Sequence, residues 1–443
     1  MPRNCSGSKR KRSISGTLRV LSVLAVVASV ACQSGSPEPP QGAPFRDLTA
    51  TQTSPGIATQ PGPASSPVST APLPSATPRA TATVNPTAAP QRTPTLTPNP
   101  NPTLDVQVLY KGLQTPWAVD FAPDGRIFLT ERPGRIRVVK DGQLQAAPWM
   151  TLAVAEAGEG GLLGLALDPQ FAQNGFVYVA YTYRSQGGNL LNRLVRLRED
   201  PATGKGVQDK VLLDGVAGGQ NHDGGRVKIG PDGKLYWTMG ETFSGSLAQD
   251  LKSLNGKILR LNTDGSIPAD NPFPSSPIYT YGNRNPQGLA WQPGTGRLYE
   301  TEHGPSGEKG CCQDEVNFIE PGKNYGWPVI SGDETRAGME TPIQQSGATV
   351  TWAPSGAAFV TGGPWAGSFL FVGLRGEALY RLTLDPNDPR KVLSFQSYLQ
   401  NQYGRLRDVV LGPDGALYIL SSNRDGRGSP VADDDRVLRI TVK

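Results

Sequence analysis

Three segments of this chain are variants of one another: "APDGRIFLTER" at 122–132, "GPDGKLYWTMGE" at 230–241 and "GPDGALYILSSN" at 412–423. Each begins in a Pro-Asp-Gly turn, runs into apolar residues, and is followed by a second short run: "GRIRVV", "GKILRLN" or "DRVLRI". In the first copy Ile127 and Leu129 alternate, Pro133-Gly134 reverses the chain, and Ile136 and Val138 alternate again, which reads as a β-hairpin. Looser copies are "FAQNGFVYVAYTY" with "NRLVRLRED", "QPGTGRLYETEHG" and "GSFLFVGLRGEALYRLTL". About six copies at intervals of roughly 45–75 residues are the signature of a radial repeat. Each copy alone is a small sheet with exposed edges, and closing a ring of them protects those edges. The expectation is therefore an all-β fold over 105–443, a six-bladed β-propeller of four-stranded antiparallel blades. A β-sandwich is the alternative, but one sandwich has little use for so many similar hairpins.

The N-terminus belongs to targeting rather than to the fold. "MPRNCSGSKRKR" is basic, and "LRVLSVLAVVASVA" is apolar but short for a membrane span. Small residues then lead to Cys32. Residues 1–31 read as a signal segment, with Cys32 as a bacterial lipid-anchor site and plain cleavage after Ala31 as the alternative. Residues 33–104 are Pro, Thr, Ser and Ala with few large apolar side chains, a disordered tether.

The formal charge of +5 comes from the targeting segment. Six of the 43 basic residues, Arg3, Lys9, Arg10, Lys11, Arg12 and Arg19, fall within 1–31, where there is no acid. The remainder carries one more acid than base, so nucleic acid is not an expected partner. Removal of Cys5 and lipidation of Cys32 would leave Cys311 and Cys312 as the thiols of an exported protein. A disulfide within the domain would then have to join these neighbours.

The chain has two histidines. A loop histidine is more often a solvated bystander than a catalyst. His222, in "NHDGGR", nevertheless lies among Asn221, Asp223 and Arg226, with glycines that let backbone approach a ligand. Arg284 and Asn285 occupy a turn before a strand. Arg375, Arg405 and Arg407 lie on strand-like runs, the last two spaced to share a face. Arginines from several blades converging on one channel would form an anion site. Zinc-ligand spacing, G-x-S-x-G, P-loop and Rossmann patterns are absent from the sequence.

"PWAVDFAPDGRIFLTER", "EGGLLGLALDPQF", "NHDGGRVKIGPDGKLY", "GNRNPQGLAW", "EHGP…DEVNFIEPGKNYGWP" and "GRLRDVVLGPDGALY" occur in that order. Together they resemble the soluble PQQ-dependent aldose sugar dehydrogenases, the glucose/sorbosone dehydrogenase family, over essentially residues 105–443. The resemblance implies pyrroloquinoline quinone (PQQ) over the central channel of a six-bladed propeller. It implies His222 as general base and Arg284 beside the quinone oxygen. Glu159, Asn221, Asn285, Arg375, Arg405 and Arg407 fall on cofactor-contacting positions. Gly304 and Pro305 match the pair whose carbonyls hold catalytic calcium, and Glu315 and Tyr325 match further calcium-associated positions. Glu159 stands where the glucose dehydrogenases have Gln, Asn221 where they have Asp, and Arg375 where they have Lys. The "EKGCC" insertion also departs from the commoner loop.

The implied function is PQQ- and Ca²⁺-dependent oxidation of aldose sugars to lactones. Electrons would go to an envelope acceptor such as a cytochrome or quinone, from an extracytoplasmic protein held at the membrane only through its lipid. A non-catalytic binding propeller predicts no bound PQQ, and a calcium-dependent lactonase predicts activity without a redox cofactor.

Overall fold

The structure is a computed structural model that describes residues 102–307 and 310–443. The expected signal segment, Cys32 and the tether as far as residue 101 lie outside the described residues. Among the described residues no helix is long and apolar enough to cross a membrane.

The repeated turn has a local cause. Asp124, Asp232 and Asp414 each accept a hydrogen bond from the backbone N–H two residues on, at 3.0, 3.1 and 3.2 Å. The following glycines, Gly125, Gly233 and Gly415, take φ of 87°, 70° and 76°, a region costly for a residue with a Cβ. Pro-Asp-Gly thus reverses the chain between the first and second strands of a blade.

Among the described residues, six blade sheets follow, with inner strands Pro116–Phe121, Leu162–Leu167, Val227–Ile229, Pro286–Trp291, Pro354–Phe359 and Leu406–Leu411, besides a two-stranded pair of Ser306–Gly307 and Gly310–Cys311. Five have four strands. In the first blade the outer edge is shared by two short strands, Gln143–Leu144 and Met150–Thr151, both paired with Arg135–Lys140. The last blade is completed by the first strand of the chain, Leu104–Tyr110, which pairs with Val437–Val442. Thr103 and Lys443 add two backbone hydrogen bonds of 3.1 and 3.0 Å, so the first strand of the chain closes the ring at the last blade.

The core is divided among the blade interfaces. Six apolar clusters are found among the described residues, one between each pair of neighbouring blades. Strand alternation feeds them from both faces. In Ile127–Glu131, Phe128 packs toward the second blade while Ile127 and Leu129 pack toward the sixth. In Leu235–Met239, Leu235, Trp237 and Met239 pack toward the second blade and Tyr236 toward the fourth. These second strands thus place apolar side chains on both faces, as their sequences predict. Full burial of one such side chain contributes about 1.5–3 kcal/mol. The loops entering the inner strands and leaving the second strands are thereby held rigidly around one mouth of the channel.

Candidate active site

A cavity of about 460 Å³ opens at that mouth. Of the residues singled out in the sequence, Glu159, Asn221, His222, Arg284, Pro305, Arg375 and Arg405 line it. A larger cavity, about 690 Å³, lies between the first two blades around Arg126, Trp149 and Glu199, away from all of them.

His222 is 5% exposed and sits at φ 61°, left-handed backbone that is rare for a side chain with a Cβ. Its Nδ1 is 2.8 Å from Oε2 of Glu241, a residue the sequence reading missed. A carboxylate at that distance accepts a proton from Nδ1, so the neutral imidazole presents the lone pair of Nε2. Glu241 is itself fixed. Its Oε2 also accepts from the Phe243 N–H at 2.8 Å, and its own N–H donates to the Arg284 carbonyl at 2.9 Å. The Phe243 ring lies 4.1 Å from the imidazole.

Arg284 and Asn285 enter the fourth blade beside this pair. The Arg284 N–H donates to Glu302 at 2.7 Å and its Nη1 to the His303 carbonyl at 3.1 Å. Asn285 Oδ1 accepts from Gly224 N–H at 3.1 Å, which fixes the amide. Its Nδ2 is then 3.5 Å from both Glu159 Oε2 and His303 Nδ1. His303 lines the cavity as well, and burial drives it down to about 3, so it is neutral.

The sixth blade supplies cations. Arg405 donates through Nε and Nη2 to Asp425 at 2.8 and 2.7 Å, and through Nη1 to the Leu374 carbonyl at 3.1 Å. Arg407 is buried and does not line the cavity; its Nη1 is 2.8 Å from Gln287 Oε1 and Asp425 is 3.7 Å away. Its Nε is buried without a partner, and burial, reinforced by Arg405 and Arg132, pushes the guanidinium down to about 9. Arg375 is exposed at the rim, and its guanidinium makes no ion pair or hydrogen bond with a described residue.

The expected calcium residues divide. The Gly304 N–H donates to Asp314 at 2.9 Å, and a Cβ at 304 would collide with the Cys312 and Gln313 carbonyls. Neither the Gly304 nor the Pro305 carbonyl accepts a hydrogen bond from a described residue. Glu315 and Tyr325 do not line the cavity. Glu315 is buried opposite Glu302, with Glu300 on the same strand as Glu302, and burial raises all three carboxyls. The Tyr325 hydroxyl donates to the Phe318 carbonyl at 2.8 Å and accepts from Glu320 N–H at 2.9 Å. Among the described residues no group of three or more His, Cys, Asp and Glu is arranged to hold a metal.

Cys311 and Cys312 are joined to each other by a disulfide. Cys311 faces the cavity and Cys312 is buried. Also missed in the sequence were Asp425 and Arg427, in "NRDGRG", where the glycines and alternating charges read as a solvated turn.

The family described as Glucose / Sorbosone dehydrogenase matches residues 113–432. The aldose sugar dehydrogenase YliI of Escherichia coli (strain K12) is 33% identical over 348 residues, 73% of this chain and 91% of that one. The quinoprotein glucose dehydrogenase B of Acinetobacter calcoaceticus is 30% identical over 433 residues, 75% of this chain and 88% of that one. Among solved structures, the PQQ-bound aldose sugar dehydrogenase from Streptomyces coelicolor superposes with a TM-score of 0.69 at 37% identity, covering 78% of this chain and 100% of that one. With its propeller, its channel-mouth histidine and these relatives, the chain belongs to the glucose/sorbosone dehydrogenase family.

Proposed function

We propose that this protein oxidises aldose sugars at the anomeric carbon, with PQQ and calcium bound at the mouth of the channel. The observation that carries this reading is an oriented imidazole sharing one cavity with the Arg375 guanidinium, with Arg407 buried outside its lining. His222 is held by Glu241, the Arg375 guanidinium has no described partner, and a buried Arg407 Nε lacks an acceptor. PQQ carries three carboxylates. Each of these donors suits one, because guanidinium binds carboxylate strongly where water is excluded. The relatives support the cofactor and the substrate class through the Streptomyces PQQ complex and the Escherichia enzyme.

In this reading Arg375, Arg405 and Arg407 hold the cofactor's carboxylates, and Glu159, Asn221 and Asn285 border it. The free carbonyls of Gly304 and Pro305 would hold calcium, a hard ion that takes such oxygens. Glu315 and Tyr325 would support that loop from within the fourth blade. When bound, PQQ would accept a hydride from the sugar, with calcium as Lewis acid. His222 Nε2 takes the proton of the anomeric hydroxyl, and Glu241 stabilises the imidazolium that results. Arg284 places positive charge where negative charge develops. Phe243, against the imidazole, limits the access of water. Loss of a hydride from carbon and a proton from oxygen leaves a lactone, and the electrons pass on to an envelope acceptor. Export and the lipid anchor at Cys32 would place the domain there.

Adding PQQ and Ca²⁺ to the apo-protein, with a panel of aldoses and a reducible dye, tests this. Dye reduction should need both additions and should be lost on calcium chelation. Failure to bind PQQ, or lactone hydrolysis without it, overturns the proposal.

A further inference from the structure

Arg427 belongs to the loop between the strands Leu417–Ser421 and Val437–Val442 of the sixth blade, yet it reaches across the cavity to two other blades. Its Nη1 meets Glu159 Oε1, in the loop entering the second blade, and its Nη2 meets Asn221 Oδ1, beside His222. Both ends of this bridge are anchored. Behind it, the Arg427 N–H donates to Asp425 Oδ1 at 2.9 Å, and Asp425 Oδ2 is held by Arg405. Ahead of it, Glu159 Oε2 accepts the His222 N–H at 3.0 Å, and the Glu159 N–H donates to the Gln220 carbonyl at 2.8 Å. Gly158 lies so close to Gln220 that a Cβ there would strike its carbonyl. A continuous chain thus runs from Arg405 through Asp425, Arg427 and Glu159 to the backbone of His222.

We propose that Arg427 is a positioning residue that acts through Glu159, holding that carboxylate against the backbone of His222 so that the imidazole keeps its place over the cavity. This rests on the reading of the cavity as the oxidation site. A buried carboxylate is costly unless it is paired and hydrogen-bonded. Burial alone would raise Glu159, whereas His303, Arg427 and His222 draw it down to about 2. Of these three, Arg427 forms the direct ion pair with the carboxylate. The guanidinium suits the task because its two outer nitrogens reach two acceptors at once, which an ammonium cannot do in a fixed geometry. Arg427 is half exposed, so water can replace it, but Glu159 is not.

The test is a cycle of Arg427→Gln, Glu159→Gln and the double variant, in full-length protein with PQQ and Ca²⁺. Arg427→Gln should lower kcat/KM about 3–5-fold, the loss expected when one partner of a part-exposed ion pair is removed. Arg427→Lys should recover part of it. The double variant should recover most of it, since an amide at position 159 can still accept the His222 N–H and needs no counter-ion. Arg427→Gln with wild-type kinetics, or a loss that Glu159→Gln does not relieve, overturns the proposal. A wild-type protein that binds no PQQ and oxidises no aldose defeats the oxidation reading instead. The coupling is then read from thermal unfolding of the cofactor-free variants. There Arg427→Gln should lower Tm by more in the presence of the Glu159 carboxylate than in the Glu159→Gln background, and equal losses overturn the positioning role.

Discussion

On the side of the cavity formed by the third and fourth blades, several polar groups are paired with one another, although His303 Nε2 is buried without a partner. His222 has Glu241, Asn285 has Gly224 and Arg284 has the His303 carbonyl, each at 2.8–3.1 Å. On the side formed by the fifth and sixth blades, the Arg375 guanidinium has no described partner and Arg407 has a buried nitrogen without an acceptor. The first side is organised to hold one imidazole in one tautomer. The second gathers arginines, of which Arg405 is paired with Asp425. Left-handed backbone occurs at both walls: His222, Thr242 and Phe243 adopt φ of 61°, 55° and 61° beside the imidazole, and Ala353 adopts 44° on the fifth-blade side. Strain is tolerated where a side chain must be aimed. In the proposed function the chemistry falls to the first wall and cofactor affinity to the second.

The largest effect should come from breaking the first wall. His222→Ala should reduce sugar oxidation by about 10²–10⁴-fold, the usual contribution of a positioned general base. PQQ affinity, set by the opposite wall, should hardly change. Steady-state dye reduction with a fluorescence titration of PQQ reads both quantities. Near-normal turnover would remove His222 from the mechanism and dissolve the distinction between the walls.

The second wall should fail in the opposite sense. Arg405→Ala or Arg407→Ala should weaken PQQ binding by about 10–100-fold, as expected for losing a hydrogen bond to a charged group. The enzyme saturated with PQQ should slow much less, because each arginine meets a carboxylate present before and after the reaction. An unchanged titration in both variants would place these side chains outside the cofactor site. Arg405→Ala also strips Asp425 of its principal partner, so Arg407→Ala is the cleaner probe.

The two regions also differ in how far the sequence reveals them. The ring of blades is legible because Pro-Asp-Gly and period-two alternation are local consequences of turn geometry and two-sided burial. Ile127 and Leu129 announce their strand without knowledge of what they touch. His222, Arg284 and Arg405 stand out because the motifs around them resemble a known family. Glu241, Asp425 and Arg427 do not. Their roles arise from contacts between loops far apart in the chain, such as Arg427 with Glu159, 268 positions away. An isolated Asp-Gly-Arg reads as a solvated turn until the ring brings it over the channel. The division of the calcium residues was equally hidden: Gly304 and Tyr325 lie 21 positions apart on one continuous motif, yet only the former's loop lies at the cavity.

The smallest expected effect concerns the loop that joins the two walls. Cys311 lies on the cavity wall and Cys312 is buried beneath it, following Gly304-Pro305 and preceding Glu315. Gly304 is packed directly against the Cys312 and Gln313 carbonyls, so the position of the cysteine pair fixes where the proposed calcium carbonyls point. The imidazole of His222 is committed to Glu241 and Phe243 rather than to the sulfurs, and electrons are not expected to pass through them. Their role is the shape of the wall. Mass spectrometry of the mature, non-reduced protein should find these two cysteines linked, and two free thiols would end that view. Replacing both with Ser should leave the fold and the unfolding temperature nearly unchanged, since the pair constrains a loop of minimal length. Calcium or PQQ affinity should weaken modestly and kcat at saturation should hold. If the double variant matches the wild type in both titrations, the disulfide is incidental to the site and the two walls are joined by Arg427 alone.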